Sequence, residues 1–189
     1  MSSDTLNFND IFQSYRSKII NFLSRTAGND HAEDIAQEVF IKVSSSINSF
    51  RNESAISTWI YRIAFNTAMD FLRKQRNKPL VCDLADKKLF YRQNSDYLTD
   101  EFRLIQDEMN ECICSYIKQL PPRYKAAIIL KEYEDMTVTQ ISEILEIKPE
   151  SAKTLLKRAK KLLRSKLENA CTFYYNELNL LSCEKKQSE

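Results

Sequence analysis

The side chains from which chemistry has to be built in this 189-residue sequence are one histidine, five cysteines and a dense basic block near the C-terminus. A Ser-His-Asp triad would have to rest on His31 alone, and an HExxH zinc site needs two histidines. Gly28 is the single glycine, whereas phosphate-cradling loops and dinucleotide fingerprints need several at fixed spacing. The common hydrolase and nucleotide-binding chemistries are thereby set aside. Nor does any carboxylate cluster or His/Cys spacing offer a catalytic centre, so the expectation is a non-enzymatic protein with no cofactor and no metal. The strongest signal is electrostatic. From Lys148 to Glu168 there are eight Lys or Arg residues against two acids, a composition suited to binding phosphates.

Helices must position that block. Residues 105–119 form a helical run stopped by Leu120-Pro-Pro122, and the same prolines open a helix over Arg123–Tyr133. Thr137-Val-Thr139 caps a short helix through Leu145 that turns Val138, Ile141, Ile144 and Leu145 inward. After the turn Glu146–Lys148, Pro149 starts a long helix to about Leu167, with the apolar line Ala152, Leu155, Leu156, Ala159, Leu162, Leu163 and Leu167. Two helices across a tight turn, the second polar at its start and then strongly basic, fit a DNA-reading helix-turn-helix. A solvated face or a membrane-surface helix is the plainer alternative. The prolines and the preceding short helix weigh against it.

The N-terminal block reads as three more helices. Phe8, Ile11, Phe12, Tyr15, Ile19, Phe22 and Leu23 line one face of the first. Asp30-His-Ala-Glu33 has the form of a capping box for the second, whose inward residues are Ala32, Ile35, Ala36, Val39, Phe40 and Val43. Its outward face carries Asp34, Gln37, Glu38, Ile41 and Lys42, with Ile41 apolar where a solvated face would be polar. The third has the stripe Ile56, Trp59, Ile60, Ile63, Ala64, Ala68, Phe71 and Leu72. Tyr61 and Phe65, interleaved with Arg62 and Asn66, offer stacking platforms for unpaired bases. Periodicity favours packing against neighbouring helices instead.

Between the blocks, residues 83–117 are net acidic and include a candidate linker. No run approaches the length of an apolar membrane span, and Met1-Ser-Ser-Asp4 has no signal-peptide character, so a cytoplasmic protein without membrane insertion is expected. At the C-terminus, Cys171-Thr-Phe-Tyr-Tyr175 and Leu178-Asn-Leu-Leu-Ser-Cys183 form a hairpin across Asn176-Glu177 that brings two thiols near each other. With Cys112 and Cys114 they would make a zinc-sized set, or the tail pair a redox switch. The spacing is not that of a zinc knuckle, and buried small hydrophobes are the commoner use of such cysteines.

Two segments resemble one family. Asp30-His-Ala-Glu-Asp-Ile-Ala-Gln-Glu-Val-Phe40, with Phe50-Arg-Asn-Glu-Ser54 and Ser57-Thr-Trp-Ile-Tyr-Arg-Ile-Ala64, resembles region 2 of the extracytoplasmic-function (ECF) sigma factors of bacterial RNA polymerase, in the sigma-70 family. Leu120-Pro-Pro-Arg-Tyr124 through Ser151-Ala-Lys-Thr-Leu-Leu-Lys-Arg-Ala159 resembles their region 4. The resemblance implies an all-α fold of two small helical domains: region 2 over 1–78, a linker over 79–104, region 4 over 105–168, and a C-terminal extension over 169–189.

It further implies that Asp34, Gln37, Glu38 and Ile41 dock on core RNA polymerase. Phe50, Arg51, Asn52 and Ser54 would hold a flipped base of the −10 promoter element, with Arg62, Asn66, Arg73 and Lys74 facing that DNA. Glu150, Ser151, Lys153 and Thr154 would read the −35 element while Lys157 and Arg158 grip its backbone. An anti-sigma factor is the expected regulator. Two positions depart from the family pattern: Glu146 where the turn often has Gly, and Leu155 where a basic residue is usual. Glu146 requires that the turn either avoid a left-handed residue or tolerate strain. A stand-alone helix-turn-helix regulator, with or without a cysteine sensor tail, is the alternative reading.

Overall fold

The computed structural model describes residues 7–50, 54–76, 109–110, 112–175 and 181–186. The expected linker 79–104, with Cys82, the loop residues Arg51 and Asn52, and residues 176–180, which include the expected turn Asn176-Glu177, lie outside them.

Three helices build the N-terminal half: α1 (Phe8–Ala27), α2 (Ala32–Ser46) and α3 (Ile56–Arg76). Asn7 caps α1, its side chain accepting from the Asn9 N–H at 3.0 Å. Gly28, at φ 106°, a conformation an L side chain rarely adopts, turns the chain toward α2. The capping box expected at Asp30 is not formed. Asn29–His31 make a 3-10 turn instead, His31 stands at the N-cap of α2, and neither helix start carries a side-chain cap. The 3-10 turn supplies the first hydrogen bond from the backbone itself, Ala32 N–H to the Asn29 carbonyl. The apolar stripes converge as expected on a core of Ile19, Phe22, Leu23, Ile35, Val39, Val43, Ile60 and Ala64. Lys42 ties α2 to α3, donating to Thr67 Oγ1 at 3.0 Å.

The C-terminal half contains α4 (helical over 112–118), α5 (Pro122–Glu132), α6 (Val138–Ile144) and α7 (Pro149–Ala170). Proline opens both α5 and α7, where its missing N–H costs nothing. α7 runs three residues past the expected end at Leu167, before Cys171 turns extended at φ −133° and ψ 150°. An antiparallel hairpin follows, β1 (Cys171–Tyr175) and β2 (Leu181–Lys185), with Phe173 opposite Cys183 and Cys171 opposite Lys185; the pairing begins at Tyr175 with Leu181, not at the expected Leu178, and leaves 176–180 between the strands.

The two halves are packed on each other. α3 lies against α6, and α1 against α5. Ala126, Ile129, Leu130, Ile141, Ile144 and Leu145 belong to the same buried cluster as Phe22 and Trp59. Among the described residues, no helix is long and apolar enough to cross a membrane.

Candidate nucleic-acid and partner interfaces

The helix-turn-helix is assembled from local rules. Thr137 and Gln140 form a reciprocal capping box at the start of α6: Gln140 N–H donates to Thr137 Oγ1 at 3.2 Å and Thr137 N–H to Gln140 Oε1 at 2.9 Å. At its other end Ile147 N–H reaches the Ser142 carbonyl at 3.0 Å, and Glu146 N–H the Glu143 carbonyl at 3.4 Å. This is the Schellman arrangement, which places the residue after the C-cap in the left-handed region. That residue is Glu146, at φ 52°. The turn therefore tolerates the strain and does not avoid it, at a cost of about 1 kcal/mol relative to glycine.

Ala152, Leu156 and Ala159 anchor α7 inward. Glu150, Ser151, Lys153, Thr154, Lys157 and Arg158 are all exposed, as a contiguous face over its first turns. Thr154 Oγ1 is steadied on the Glu150 carbonyl at 3.0 Å, and Lys153 Nζ lies 3.3 Å from the Glu150 carboxylate. Farther along, Lys160 and Arg164 are committed to Glu132 and Glu168 at 2.8 Å and 2.6 Å. Leu155, in the place of the usual base, is half-buried beside an open groove of about 450 Å³. Arg123 lines that groove with Glu150, Thr154 and Arg158, and donates to the Leu145 carbonyl at 3.4 Å. Sequence reasoning assigned Arg123 no role; its place directly after the helix-opening prolines was the available signal.

On the N-terminal half, Asp34, Gln37, Glu38 and Ile41 are exposed together, with Ile41 63% accessible. Asp34, Gln37 and Ile41 border a groove of about 720 Å³ floored by Phe8, Phe12 and Phe40. Glu38 is instead turned to Lys42 at 2.8 Å. Arg16 joins the rim, a contribution from α1 that the α2 pattern did not announce.

Of the loop after α2, Phe50 packs against Trp59 with ring centroids 5.1 Å apart and planes tilted by 43°, and Ser54 is half-buried. On α3, Arg62 is half-buried, Arg73 is paired with Asp70 at 3.0 Å, and Lys74 is exposed. Asn66 is exposed and donates to Glu146 Oε2 of the helix-turn-helix turn at 3.3 Å. Tyr61 and Phe65 are core residues, at 1% and 2% accessibility, as periodicity favoured.

Polar contacts gather where the halves meet. The Tyr61 hydroxyl donates to Glu134 Oε2, the Arg25 guanidinium lies 4.3 Å from the Tyr133 ring centroid, and Lys125 Nζ donates to the Thr26 carbonyl at 3.4 Å. Burial pushes the Glu134 carboxyl above its ordinary range, against the opposing pull of the Tyr61 hydrogen bond and Arg25. Burial, followed by the Glu134 charge, raises Tyr61. Burial lowers Lys125, with Lys118 adding repulsion.

The Sigma-70 region 2 family matches residues 11–78 and the Sigma-70 region 4 family residues 110–163. The ECF RNA polymerase sigma factor SigW of Bacillus subtilis is 34% identical over 167 residues, covering 86% of this chain and 89% of that one. The ECF RNA polymerase sigma-E factor of Haemophilus influenzae is 31% identical over 169 residues, with 87% and 89% covered. Among solved structures, the fold is shared with the sigma factor RpoE of Bartonella quintana, solved with the anti-sigma factor NepR, at a TM-score of 0.63 and 18% identity over 85% of this chain and 96% of that one. It is shared also with CnrH, solved with the cytosolic domain of CnrY, at a TM-score of 0.59 and 16% identity over 86% and 88%. With both family regions matched in order and relatives above 30% identity along nearly the whole chain, this protein belongs to the ECF sigma factors of the sigma-70 family.

Proposed function

We propose that the protein directs core RNA polymerase to promoters through three separate surfaces and assists promoter opening without being an enzyme. The observation that carries this reading is the pairing of an exposed apolar residue, Ile41, on an otherwise polar α2 face with an exposed basic face on α7. A stand-alone helix-turn-helix regulator leaves the α2 face without a task.

In this reading Asp34, Gln37, Glu38 and Ile41 bind the polymerase, with the groove beside Phe12 and Phe40 receiving part of the partner. Glu150, Ser151, Lys153 and Thr154 read base edges of the −35 element, and Lys157 and Arg158 hold its phosphates. Phe50, Arg51, Asn52 and Ser54 take the role of holding an extruded −10 base, and Arg62, Asn66, Arg73 and Lys74 that of meeting the same DNA. Extrusion costs a few kcal/mol, roughly, so a pocket that stabilises the flipped base couples recognition to melting. The domain limits are those of regions 2 and 4, with 79–104 as the tether and 169–189 as an extension.

The two promoter elements lie about three helical turns apart, on the order of 100 Å. Direct packing of α3 on α6 is incompatible with that span, so the closed arrangement is a resting form that opens on the polymerase. An anti-sigma factor, such as the one bound to the Bartonella relative, competes for the surfaces that opening exposes. Partnership with core polymerase places this work in the cytoplasm. The deciding experiment adds the purified protein to core polymerase and maps transcripts across a genome. Promoter-specific start sites are expected; their absence, with tight sequence-specific DNA binding by the protein alone, overturns the sigma reading in favour of a regulator.

A further inference from the structure

We propose that Cys112, Cys171 and Cys183 form a binding site for one thiophilic cation, Zn²⁺ or Cu⁺, which fastens the C-terminal hairpin to α4. The three sulfurs lie within 4.8 Å of one another, and Cys112 Sγ is 3.8 Å from Cys171 Sγ. A cation bound at about 2.3 Å to each of three sulfurs holds them roughly 3.8 Å apart in tetrahedral geometry and roughly 4.0 Å apart in trigonal geometry. One pair already has that separation, and the others, within 4.8 Å, would close by at most about 1 Å to share a metal. A disulfide would require a sulfur pair to close to about 2.05 Å and would strand the third thiol.

The convergence is produced by the fold. Cys112 comes from α4, Cys171 is the C-cap of α7, and Cys183 lies on β2. In the hairpin register Cys183 faces Phe173, which puts it diagonal to Cys171 on the same side of the ribbon. A core use of cysteine would bury all three, but only Cys171 is buried; Cys112 and Cys183 are partly accessible and leave a path for an ion. The site also sits at the C-terminal end of α7, where the helix dipole favours positive charge. The Lys186 ammonium is already held there, 2.7 Å from the Glu168 carbonyl.

Soft thiolates select Zn²⁺ and Cu⁺ over harder ions. Among the described residues, no fourth Cys, His, Asp or Glu joins the group. Three sulfurs satisfy a trigonal Cu⁺, and for Zn²⁺ they leave one position for water or another ligand. Each thiol that binds releases its proton to solvent, so affinity rises with pH. The promoter and polymerase surfaces use none of these residues.

The test uses the full-length protein, reduced, metal-free and kept under argon. Cd²⁺ titration reports thiolate ligation by sulfur-to-metal charge transfer, and Zn²⁺ and Cu⁺ affinities are read by competition with chromophoric chelators. One equivalent per monomer is expected, with charge transfer from three thiolates. Cys112→Ser and Cys183→Ser should each weaken binding by more than about a hundredfold, the upper end of what losing a supporting hydrogen bond costs. Cys114→Ser should retain the site. Because Cys183 is on the terminal hairpin, its variant keeps both helical domains, which far-UV circular dichroism checks. Substoichiometric binding at micromolar metal, undiminished binding by Cys183→Ser, or a metal-bridged dimer would each overturn the proposal.

Discussion

Lys153 and Thr154 stand on the first turns of α7 with their side chains in solvent, each linked, among the described residues, to Glu150 of the same helix. An exposed pair of this kind contributes well under 1 kcal/mol, so Lys153 exchanges it readily for a base edge or phosphate. Lys153→Ala should therefore weaken −35 binding by about tenfold, in the range of one lost base contact, and leave the opening rate unchanged. Asn52→Ala should do the reverse, slowing opening with little change in −35 affinity. Stopped-flow fluorescence of holoenzyme on promoter DNA separates the two steps. Ile41, at 63% accessibility, contributes little to the fold. Ile41→Asp should leave the unfolding midpoint within a degree or two while lowering core polymerase affinity by roughly tenfold or more, as loss of a buried apolar contact plus desolvation of a carboxylate requires. Equal affinity of the variant in fluorescence anisotropy would remove α2 from the interface. Ile41 was legible in the sequence because it breaks the composition of its helix face, and Lys153 because it lies in the dense basic run after Lys148.

Within elements, local hydrogen bonding and steric rules decided more than family pattern did. The α6 cap was legible in Thr137, since a Thr with Gln three residues on satisfies two backbone donors. The same logic failed at Asp30, where the short route out of Gly28 lets a 3-10 turn satisfy the backbone first. Glu146 shows the opposite balance. Two backbone hydrogen bonds of the Schellman turn hold a non-glycine residue at φ 52°. Glu146→Gly should stabilise the protein by about 1 kcal/mol in chemical denaturation, because the strain is removed and the bond from Asn66 at 3.3 Å is exposed and weak. An unchanged or lowered midpoint would mean that the turn carries no strain. At Leu155 the missing base is replaced by packing beside the groove that Arg123 and Arg158 line, so one cation, Arg123 of α5, reaches that edge of the recognition helix from a different element.

For the whole molecule, the opening proposed above would part the seam of Tyr61, Glu134, Arg25 and Lys125. Glu134 has its pKa raised by burial in the closed form, so the protonated carboxyl is the one that closure favours. Its contribution to closure is fully present below the ordinary carboxylate range and is lost as pH rises through the raised value. A fluorescence pair spanning regions 2 and 4 should therefore report a larger closed fraction at mildly acidic than at neutral pH. Glu134→Gln keeps an acceptor for Tyr61 without the buried charge, and should flatten that dependence while increasing closure at neutral pH. A profile identical to that of the parent protein would show that Glu134 does not govern the seam.

The sequence by itself determined the helices, their inward faces, the helix-turn-helix and the exposed basic and mixed surfaces. Each depends on residues within one or two turns of each other, where spacing alone sets the face. Only the tertiary structure decided that Tyr61 reaches Glu134, that Asn66 meets Glu146, and that Cys112 joins Cys171 and Cys183 while Cys114 turns to Tyr133. Such contacts join residues 19 to 80 positions apart, across surfaces whose match depends on how whole helices stack. The two cysteines of α4 show the difference most simply: two residues apart on a helix, they point to opposite sides, and the packing around them, not their spacing, sets the partner of each.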